Sequence, residues 1–526
     1  MEDNNKLSPF EFKEELINLA NNNSDKTTLD AGRGNPNFLA TNPRHAFLCL
    51  GDFALRESER SYAYLDGLFG GVPEKQGITE RFDYFVTSNK DRAGVSFLTS
   101  AMSFVYDHLG VAKDDFLYDM VNAFLGCDYP NPPRMITIFE EIIMNYLQNE
   151  LYHKIDAPVE FDVFATEGGT AAMTYIFQST KINGLIKKGD KIAMITPIFS
   201  PYLEIPLLPE YDLEIVHIYA HEENDWQVTS QELTKLEDSD IKMLCLVNPS
   251  NPPSVKMSDD VLNDIAELVN TKRPDLMIVT DDVYANFSDD FESLFSRCPF
   301  NTLCVYSFSK YFGCTGWRLG TIALHKDNVF DRLLSNVDND TKDMLVDRYS
   351  SLTSQVSELK FMDRIVADSR SVVLNHTAGI SLPQQLQMVL FALSGLLDNQ
   401  SMYRNAAKSI IKRRNKLLYQ SISRDIRPNY DSNCVGYYAI LDIEYLAKEL
   451  YGERFSKWLI VNCNINDFLK DLASKTGIVL LPGNGFDVEH PSVRVSLANL
   501  REFDYKVIGN NIRNQLDDLY GEFEGV

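Results

Sequence analysis

The feature that most constrains the fold is a regular alternation of apolar runs and helical stretches between residues 160 and 325. The apolar runs have the length of single strands and lie at 161–166, 190–196, 213–219, 241–247, 276–281, 302–307 and 319–324. Helical stretches separate several of them, notably 170–183 and 258–271. Strands that alternate with helices predict a largely parallel sheet covered on both faces. Ligands bind beyond the carboxyl ends of such strands, so we expect the functional residues there.

One lysine, Lys310, lies just beyond the strand end at 302–307, and hydroxyl residues stand immediately before it. A glycine-rich, aromatic loop then leads to Arg318, eight residues further on. A neighbouring cation and a partly apolar site both favour the neutral amine, which is the form that makes a Schiff base. The plainer interpretation, a surface lysine in a turn, gives Ser307, Ser309 and Arg318 no reason to gather around it.

Two further strand ends carry residues that suit a flat, phosphorylated ligand. Gly169 and Thr170 open the helix after the first strand, and backbone N–H groups at a helix start bind phosphate. Phe199 follows the second strand and offers an aromatic face to a ring. Taken singly, Gly-Gly-Thr is equally typical of an ordinary helix start and Phe199 of a packed loop.

Two later strand ends offer polar side chains to the same edge of the predicted sheet. Asn251 lies in the proline-rich segment NPSNPP, which favours a fixed amide donor. Asp281 ends the run 276–281, and Tyr284 follows three residues later. An acid and a phenol in this arrangement suit a ring nitrogen and a ring hydroxyl. Each residue alone could be merely structural, but their order at successive strand ends favours one shared site.

Two arginines outside the alternating region suit carboxylate binding, because a guanidinium presents a planar fork of donors. Arg33 lies between Gly32 and Gly34 in the loop GRGNPN, where glycines let the backbone approach a ligand. Arg494 lies in the alternating segment VRVSLA, on the face opposite its two valine neighbours. The plainer interpretations are a surface arginine in a tight turn and an exposed strand arginine.

Composition narrows the class of protein and the kinds of partner. The chain has 526 residues with 44% hydrophobic and 24% charged, which predicts two or three globular domains. A net charge of -25 argues against binding to nucleic acid or to an anionic membrane surface. The eight cysteines are scattered without a C-x-x-C pair, so neither zinc nor a disulfide framework is expected. The polar start MEDNNKLSPF and the lack of a long apolar run predict a cytoplasmic protein.

Periodicity predicts further elements on either side of the alternating region. Residues 45–125 are expected to be mostly amphipathic helix, and the part beyond about 400 to be a smaller α+β unit. The predicted helices lie at 8–22, 135–151, 384–397, about 400–420 and 465–475, and the predicted strands near 436–443 and 478–481.

The motifs together resemble the fold-type I enzymes of the aspartate aminotransferase superfamily, which use pyridoxal 5'-phosphate (PLP). Ser-x-Ser-Lys at 307–310 followed by Gly-Trp-Arg-Leu-Gly at 316–320 is the most specific part, and the resemblance covers about 120–500. It implies an α/β large domain built on a mainly parallel seven-stranded sheet, at 126–380. A smaller α+β C-terminal domain at 381–526 would be joined by the N-terminal helical segment 1–125.

The GRGNPN start, the helical segment after it and the overall length look more like the bacterial aspartate 4-decarboxylases. That resemblance implies β-decarboxylation of L-aspartate to L-alanine and carbon dioxide, by way of aldimine, quinonoid and ketimine. It also implies a side transamination of aspartate to oxaloacetate with 2-oxo acids. The enzyme would be a homodimer at least and, by family resemblance, a dodecamer formed as a hexamer of dimers.

The resemblance also implies a role for each candidate residue. Lys310 would be the Schiff-base lysine and proton shuttle, and Asp281 would keep the pyridine nitrogen protonated. The implied catalytic residues are Lys310, Asp281 and Tyr284. The implied cofactor-binding residues are Gly169, Thr170, Phe199, Asn251, Asp281, Tyr284, Ser307, Ser309, Lys310, Arg318 and, from a neighbouring subunit, Tyr129. The implied substrate-binding residues are Arg494, Arg33, Gly34 and Asn251, and no metal is implied.

One departure from the aspartate aminotransferase pattern bears on the reaction. Those enzymes place a second arginine in the region matching 375–381, to grip the distal carboxylate, and NHTAGIS contains none. A carboxylate in a strong bidentate pair is stabilised as an anion and leaves poorly as carbon dioxide. Our hypothesis is that Arg33 or another group binds it less tightly and so favours decarboxylation.

Three other functions fit parts of the sequence. A plain aminotransferase for aspartate or another amino acid shares the core motifs. A penicillin-recognising serine enzyme would use S-x-x-K at 307–310 and K-T-G at 475–477, but the S-D-N element is missing. An aminotransferase-like domain fused to a DNA-binding regulator would need a basic helix-turn-helix, which the acidic N-terminal segment does not supply.

Overall fold

The structure, a computed structural model, describes residues 8–23, 26–67, 69–129, 134–152, 160–370, 379–428 and 432–525. The strands in these ranges are β1 Leu29–Asp30, β2 Phe161–Thr166, β3 Lys191–Thr196, β4 Glu214–Tyr219, β5 Ile241–Val247, β6 Met277–Asp281, β7 Thr302–Ser307, β8 Gly320–His325, β9 Tyr438–Asp442, β10 Ile478–Val479, β11 Leu481–Pro482 and β12 Ser492–Ser496.

The α-helices in the same ranges are α1 Pro9–Asn23, α2 Thr41–Ser61, α3 Ile78–Ser88, α4 Val95–Leu109, α5 Lys113–Leu125, α6 Thr137–Leu151, α7 Gly169–Ile182, α8 Ser200–Glu204, α9 Ser230–Leu233, α10 Asp259–Thr271, α11 Leu294–Arg297, α12 Val329–Ser335, α13 Asn339–Tyr349, α14 Phe361–Ser369, α15 Leu382–Leu396, α16 Met402–Ile422, α17 Ile443–Tyr451, α18 Glu453–Asn462, α19 Ile465–Thr476 and α20 Glu502–Gly525.

A mixed sheet of seven strands, β2 to β8, is the main feature of the fold. The boundaries predicted for these strands agree with the observed ones to within one residue. Neighbours in the order β6, β5, β3, β4 are parallel. Strand β8 runs antiparallel to both β2 and β7. The predicted α/β class with a mainly parallel seven-stranded sheet is therefore confirmed, with β8 as its reversed strand.

Local sequence explains where the covering helices begin. Ser258 caps α10 by accepting a hydrogen bond from the N–H of Val261, as short hydroxyl side chains do at helix starts. A capping box of Ser381 and Gln384 starts α15. Helix α15 begins two residues before the predicted 384, and the Gln384 side chain accepts a hydrogen bond of 3.2 Å from the N–H of Ser381 at this start.

The chain divides into two compact units, each made of separate stretches of sequence. The first comprises Met1–Phe38, Lys187–Phe291 and Arg404–Val526, and the second comprises Leu39–Ile186 and Glu292–Tyr403. The predicted domain boundaries 1–125, 126–380 and 381–526 were placed by sequence position and stay a prediction.

The first unit contains the parallel strands β3 to β6 and a smaller antiparallel sheet of order β11-β12-β9. Helix α1 packs against α19, so the N-terminal segment belongs to this unit. Two-residue β1 pairs in parallel with β10, which places residues 29–30 beside 478–479. The predicted single strand at 478–481 is in fact β10 and β11, because each half pairs with a different partner.

The second unit contains β2, β7 and β8 together with helices α2 to α7 and α11 to α15. Helix α15 packs against α2, α5 and α6, so the predicted helical segment 45–125 forms a bundle with it. The apolar cores of these helices include Phe53, Leu98 and Leu117, which are buried. Among the described residues, no helix is both long and apolar enough to span a membrane.

Candidate active site

The predicted site residues fall into two groups, one in each unit. The first unit holds Arg33, Gly34, Phe199, Asn251, Asp281, Tyr284 and Arg494. The second unit holds Tyr129, Gly169, Thr170, Ser307, Ser309, Lys310 and Arg318.

In the first unit, Asp281 ends β6 and is almost completely buried. Its Oδ2 accepts a hydrogen bond of 2.6 Å from the hydroxyl of Tyr202, and its Oδ1 accepts one of 3.2 Å from the N–H of Val283. Burial and the Asp281 carboxylate raise the pKa of Tyr202 well above its ordinary value, so this phenol remains a donor. The two bonds fix the carboxylate in one orientation at the carboxyl end of a parallel strand.

Asn251, Tyr284 and Arg494 form a second cluster in the same unit. The Nδ2 of Asn251 donates to the Tyr284 hydroxyl at 3.4 Å, and the Asn251 Oδ1 accepts from Nη1 of Arg494 at 3.1 Å. Burial, followed by the neighbouring Tyr438 and Tyr437, raises the pKa of Tyr284 well above its ordinary value. The cluster therefore presents a phenol that stays protonated, beside an amide and a cation.

The environment of Arg494 is unusual for a charged side chain, since the residue is only 1% exposed. Its guanidinium lies between two aromatic rings, 4.4 Å from the Tyr438 centroid and 4.5 Å from that of Phe486. Burial lowers its pKa from the ordinary value, and nearby Tyr438 and Tyr284 partly offset that shift. Its Nε has no hydrogen-bond partner among the described residues, so the group can accept an anionic ligand.

The loop after β1 brings Gly32, Arg33 and Gly34 to the same part of the first unit. The Gly32 carbonyl accepts a 2.8 Å bond from Nη2 of Arg494, and the Gly34 carbonyl accepts a 2.7 Å bond from the Tyr437 hydroxyl. The side chain of Arg33 is 60% exposed and its Nε lies 3.1 Å from Oδ2 of Asp30. Arg33 is thus held at one side by an acid while much of it stays accessible.

Phe199 follows β3 and is partly buried in the first unit. Its ring meets those of Phe10 and Tyr202 edge-on, at centroid distances of 5.9 and 5.4 Å. The N–H of Ile198 donates to the Phe486 carbonyl at 3.1 Å. The aromatic ring is therefore positioned beside the residue that holds Asp281.

In the second unit, strand register brings two predicted segments to one edge. Gly320, the first residue of β8, pairs with Thr166 at the end of β2 and with Ser307 at the end of β7. The carboxyl ends of β2 and β7 therefore lie on either side of Gly320. A Cβ at Gly320 would come within 2.7 Å of the Gly168 backbone, so the close approach requires glycine.

A concave arrangement of donors follows from this approach. Gly168 has a φ of +95° and leads directly into α7, whose first residues are Gly169 and Thr170. A Cβ at Gly168 would collide with the guanidinium of Arg318, so the arginine packs directly against the helix start. Arg318 itself has a φ of +57° and donates from Nη1 to the Thr315 carbonyl at 2.8 Å. Backbone N–H groups and an arginine thus lie together, as in phosphate sites.

The serines before Lys310 belong to the same edge. Ser307 and Ser309 are buried, and the hydroxyl of Ser307 donates to that of Ser309 at 3.0 Å. The N–H of Ser309 donates in turn to Oγ of Ser307 at 3.3 Å. These bonds fix the turn after β7, and the partly exposed Lys310 follows it.

Two parts of the predicted site lie at the edge of the described ranges or outside them. Tyr129 is 74% exposed and lies at the end of a described range. Of the segment 375–381, which has no arginine, residues 375–378 lie outside the described residues.

Sequence reasoning missed Tyr202, Tyr438 and Gly168 as members of these groups. Tyr202 lies three residues after Phe199, which was a weak signal in the segment PIFSPY. Tyr438 gave no signal, because its place beside Tyr284 depends on a contact between residues 154 positions apart in the chain. Gly168 was part of the Gly-Gly-Thr motif, but its contact with Arg318 appears only in the structure.

The chain is similar to known proteins over most of its length. The family model of aminotransferase class I and II matches residues 129–510. The chain is 51% identical over 520 residues to a bifunctional aspartate aminotransferase and L-aspartate beta-decarboxylase of Pseudomonas sp, covering 99% of this chain and 98% of that protein. An aspartate aminotransferase of Pyrococcus horikoshii is 27% identical over 200 residues, covering 38% of this chain and 48% of that protein.

Solved structures are similar in fold at low sequence identity. A mutant aspartate aminotransferase of Thermus thermophilus has a TM-score of 0.61 at 15% identity, covering 97% of each chain. An aspartate aminotransferase of Thermotoga maritima has a TM-score of 0.58 at 15% identity, also covering 97% of each chain.

Proposed function

Because the chain belongs to the class I and II aminotransferases, we propose that it is a PLP-dependent lyase that converts L-aspartate to L-alanine and carbon dioxide. Transamination of aspartate to oxaloacetate with a 2-oxo acid is its second activity. The observation that carries the proposal is the 51% identity, over 99% of the chain, to a bifunctional protein with both activities in its name. This similarity favours the decarboxylase over an aminotransferase without that activity.

The residues fit the cofactor that the family uses. Gly168 leaves space that a Cβ would fill, and so lets Arg318 lie against the first turn of α7, where a phosphate would accept bonds. Tyr284 stays protonated and can donate to a phenolic oxygen. The buried Asp281 carboxylate can accept a hydrogen bond from a protonated ring nitrogen. When bound, PLP withdraws electrons from the α-carbon of an amino acid joined to it.

Each group in the chain then has a defined task. Gly169, Thr170, Ser307, Ser309 and Arg318 would hold the phosphate. Asp281, oriented by Tyr202, would keep a proton on the ring nitrogen, and Phe199 would offer its aromatic face to the ring.

Lys310 would hold PLP through its Nζ and would carry the proton of the substrate α-carbon. Arg494 binds the substrate α-carboxylate through its unpartnered Nε edge, with Asn251 beside it. Asn251 and Tyr284 would both donate to the phenolic oxygen of the cofactor.

The β-carboxylate needs weaker binding than the α-carboxylate if it is to leave. The Nε of Arg33 already lies 3.1 Å from Oδ2 of Asp30, and the side chain is largely exposed. The ion pair between Arg33 and a further carboxylate is therefore weak. We infer that Arg33, with Gly34 beside it, orients the β-carboxylate without holding it as a fixed anion. Loss of carbon dioxide breaks the bond to the β-carbon, and a proton replaces the carboxylate there.

The proposed assembly is a homodimer at least, and a hexamer of such dimers is the larger form that we propose. Tyr129 is exposed in one chain and would reach the PLP phosphate of the neighbouring subunit. Several exposed large apolar side chains lie on the helical segment of the second unit, among them Leu48, Leu55 and Tyr84, which favours further contacts between chains. A cytoplasmic location is the one that the sequence predicts.

Incubation of the purified protein with PLP and L-aspartate, without a 2-oxo acid, tests the function directly. We expect alanine and carbon dioxide in equal amounts over many turnovers. Oxaloacetate that appears only after 2-oxoglutarate is added, with no carbon dioxide from the β-carboxylate, would make the protein a plain aminotransferase.

The role of Arg33 is tested in the same assay. Arg33→Ala should slow decarboxylation and raise the KM for aspartate, whereas Arg33→Lys should keep part of the activity because it keeps the charge. Unchanged aspartate turnover in Arg33→Ala would remove this residue from the site.

A further inference from the structure

Tyr438 links the cluster around Tyr284 to the arginine that we assign to the substrate, all within the first unit. Its hydroxyl oxygen lies 2.9 Å from that of Tyr284, and both side chains are buried. Its N–H donates to Oγ of Ser254 at 2.8 Å, which fixes the backbone at the start of β9. Tyr438 therefore offers its hydroxyl to one defined partner.

The ring of the same residue supports Arg494. In the antiparallel pair of β9 and β12, Arg494 is opposite Ile440 and Ser496 is opposite Tyr438. Arg494 and Tyr438 are thus diagonal neighbours, which is within reach of long and aromatic side chains. The guanidinium lies 4.4 Å from the ring centroid, a distance at which a buried cation is attracted to the ring face.

The contacts close into a ring of four residues. Arg494 bonds Asn251 at 3.1 Å, Asn251 bonds the Tyr284 hydroxyl at 3.4 Å, Tyr284 bonds Tyr438 at 2.9 Å, and Tyr438 packs on Arg494. Two paths therefore join Tyr284 to Arg494. The longer Asn251 bond is the weaker connection, and Tyr438 provides the second.

We propose that Tyr438 is a positioning residue that holds the Tyr284 hydroxyl toward the phenolic oxygen of PLP and holds Arg494 toward the substrate α-carboxylate. This inference rests on the proposed function. Tyr284 has a single hydroxyl proton, which it gives to the phenolic oxygen, so Tyr438 must be the donor in the bond between the two phenols. A phenol that accepts a hydrogen bond is itself a stronger donor, since such chains polarise one another.

The hydroxyl and the ring of Tyr438 make separate contributions that two variants distinguish. Tyr438→Phe removes the hydroxyl bond and keeps the ring over Arg494. Tyr438→Leu removes both. Tyr505→Phe is the matched control, because it deletes another buried hydroxyl of the same unit, which donates to the Ser496 carbonyl at 2.9 Å.

The first measurement is the pH midpoint of the visible absorbance change of the bound cofactor. A weaker donor at Tyr284 stabilises the anionic phenolic oxygen less, so the imine proton beside it is held more strongly and the midpoint rises. We expect Tyr438→Phe to raise it by about 0.5 to 1 pH unit, the size of one net hydrogen bond. Tyr505→Phe should leave the midpoint within about 0.2 unit of the wild type, because it leaves the Tyr284 bond intact.

The second measurement is the affinity for succinate, a dicarboxylate that cannot react. Tyr438→Phe should keep the dissociation constant within about twofold of the wild type, whereas Tyr438→Leu should raise it by about fivefold or more.

A double variant tests whether Tyr438 acts through Tyr284. In Tyr284→Phe/Tyr438→Phe, the pH midpoint should equal that of Tyr284→Phe alone.

The possible results separate this inference from the proposed function. A wild-type protein without a cofactor band or decarboxylation overturns the proposed function and the inference together. An active wild type whose midpoint is unchanged in Tyr438→Phe, or equally raised in Tyr505→Phe, overturns the role of Tyr438 alone. Additive shifts in the double variant would also overturn it, since they would show that Tyr438 does not act through Tyr284.

Discussion

At the scale of single residues, Gly168 shows how one missing Cβ shapes the proposed phosphate site. It combines a φ of +95° with direct contact to the Arg318 guanidinium. A positive φ destabilises any other residue by about 1–2 kcal/mol wherever it occurs. The contact with Arg318 is specific to Gly168, so a glycine with a positive φ and no such contact separates the two effects.

We expect Gly168→Ala to weaken PLP binding by about tenfold or more, because the methyl group displaces Arg318 from the start of α7. Gly189→Ala is the control, since Gly189 has a φ of +82° and nothing within 4 Å of its added Cβ. The control should lose about 1 kcal/mol of stability with unchanged PLP affinity. Fluorescence titration of the apoenzyme with PLP measures the PLP affinity of the two variants. Equal affinities in the two variants would remove Gly168 from the site.

Tyr202 acts at the same scale on the acid at the end of β6. Tyr202→Phe deletes the 2.6 Å bond to Asp281, and a hydrogen bond to a charged group is worth about 1.5–3 kcal/mol. We expect kcat for decarboxylation to fall by about tenfold, because the carboxylate is less well fixed against the ring nitrogen. Tyr419→Phe, which loses a 3.3 Å bond to the Ile440 carbonyl, should keep kcat within about twofold. A Tyr202→Phe enzyme with wild-type kcat would contradict the assigned role.

At the scale of elements, a buried carboxylate joins three helices of the second unit. Asp368 in α14 accepts two bonds from Arg348 at 3.0 and 2.8 Å and bonds from the hydroxyls of Ser179 and Tyr349. Burial raises the pKa of Tyr349, and the negative charge of Asp368 is the second largest cause of this shift, so the phenol remains a donor. Helices α7, α13 and α14 are therefore connected by one satisfied charged network.

Asp368→Asn should destabilise the protein by about 3 kcal/mol, because it leaves Arg348 partly buried without its counter-charge. The expected change is a lower urea midpoint with the slope unchanged. Glu160→Gln is the control, since its pair with Lys326 is 3.9 Å long and exposed, and it should change stability by less than about 0.5 kcal/mol. Equal midpoints in the two variants would show that the network contributes nothing measurable.

At the scale of the whole molecule, the proposed dimer makes a prediction about mixed subunits. Tyr129→Ala and Lys310→Ala should each be nearly inactive as pure proteins. A hybrid of the two restores one intact site if Tyr129 acts on the neighbouring subunit, because the chain with Lys310 then receives Tyr129 from the other chain. We expect activity to return on mixing after reversible dissociation, in proportion to the hybrid fraction.

Activity measured before and after dissociation and reassociation checks this prediction. Each variant mixed with itself is the control and should stay inactive. If hybrids form, as native mass spectrometry would show, and the mixture stays inactive, Tyr129 acts within its own chain or not at all.

Much of the fold and part of the site could be predicted from the sequence because their signals are local. Each of the seven strands, β2 to β8, is a short apolar run between turn residues, so its bounds agree with the structure to within one residue. Lys310 and Asn251 follow strand ends and Asp281 ends a strand, and all three were predicted as site residues from position and chemistry together. Arg494 was identified from alternation, which places it on a face opposite Val493 and Val495.

The tertiary structure alone decided which distant residues meet. The split of 478–482 into β10 and β11 depends on their different pairing partners, β1 near the start of the chain for β10 and β12 for β11. Tyr202 meets Asp281 across 79 positions, and Tyr438 meets Tyr284 across 154. Local composition determines a strand or a strand-end acid, because backbone preference and burial act over a few residues. The orientation of a buried side chain depends on contacts that form only when the chain has packed, and these contacts carry no local signal.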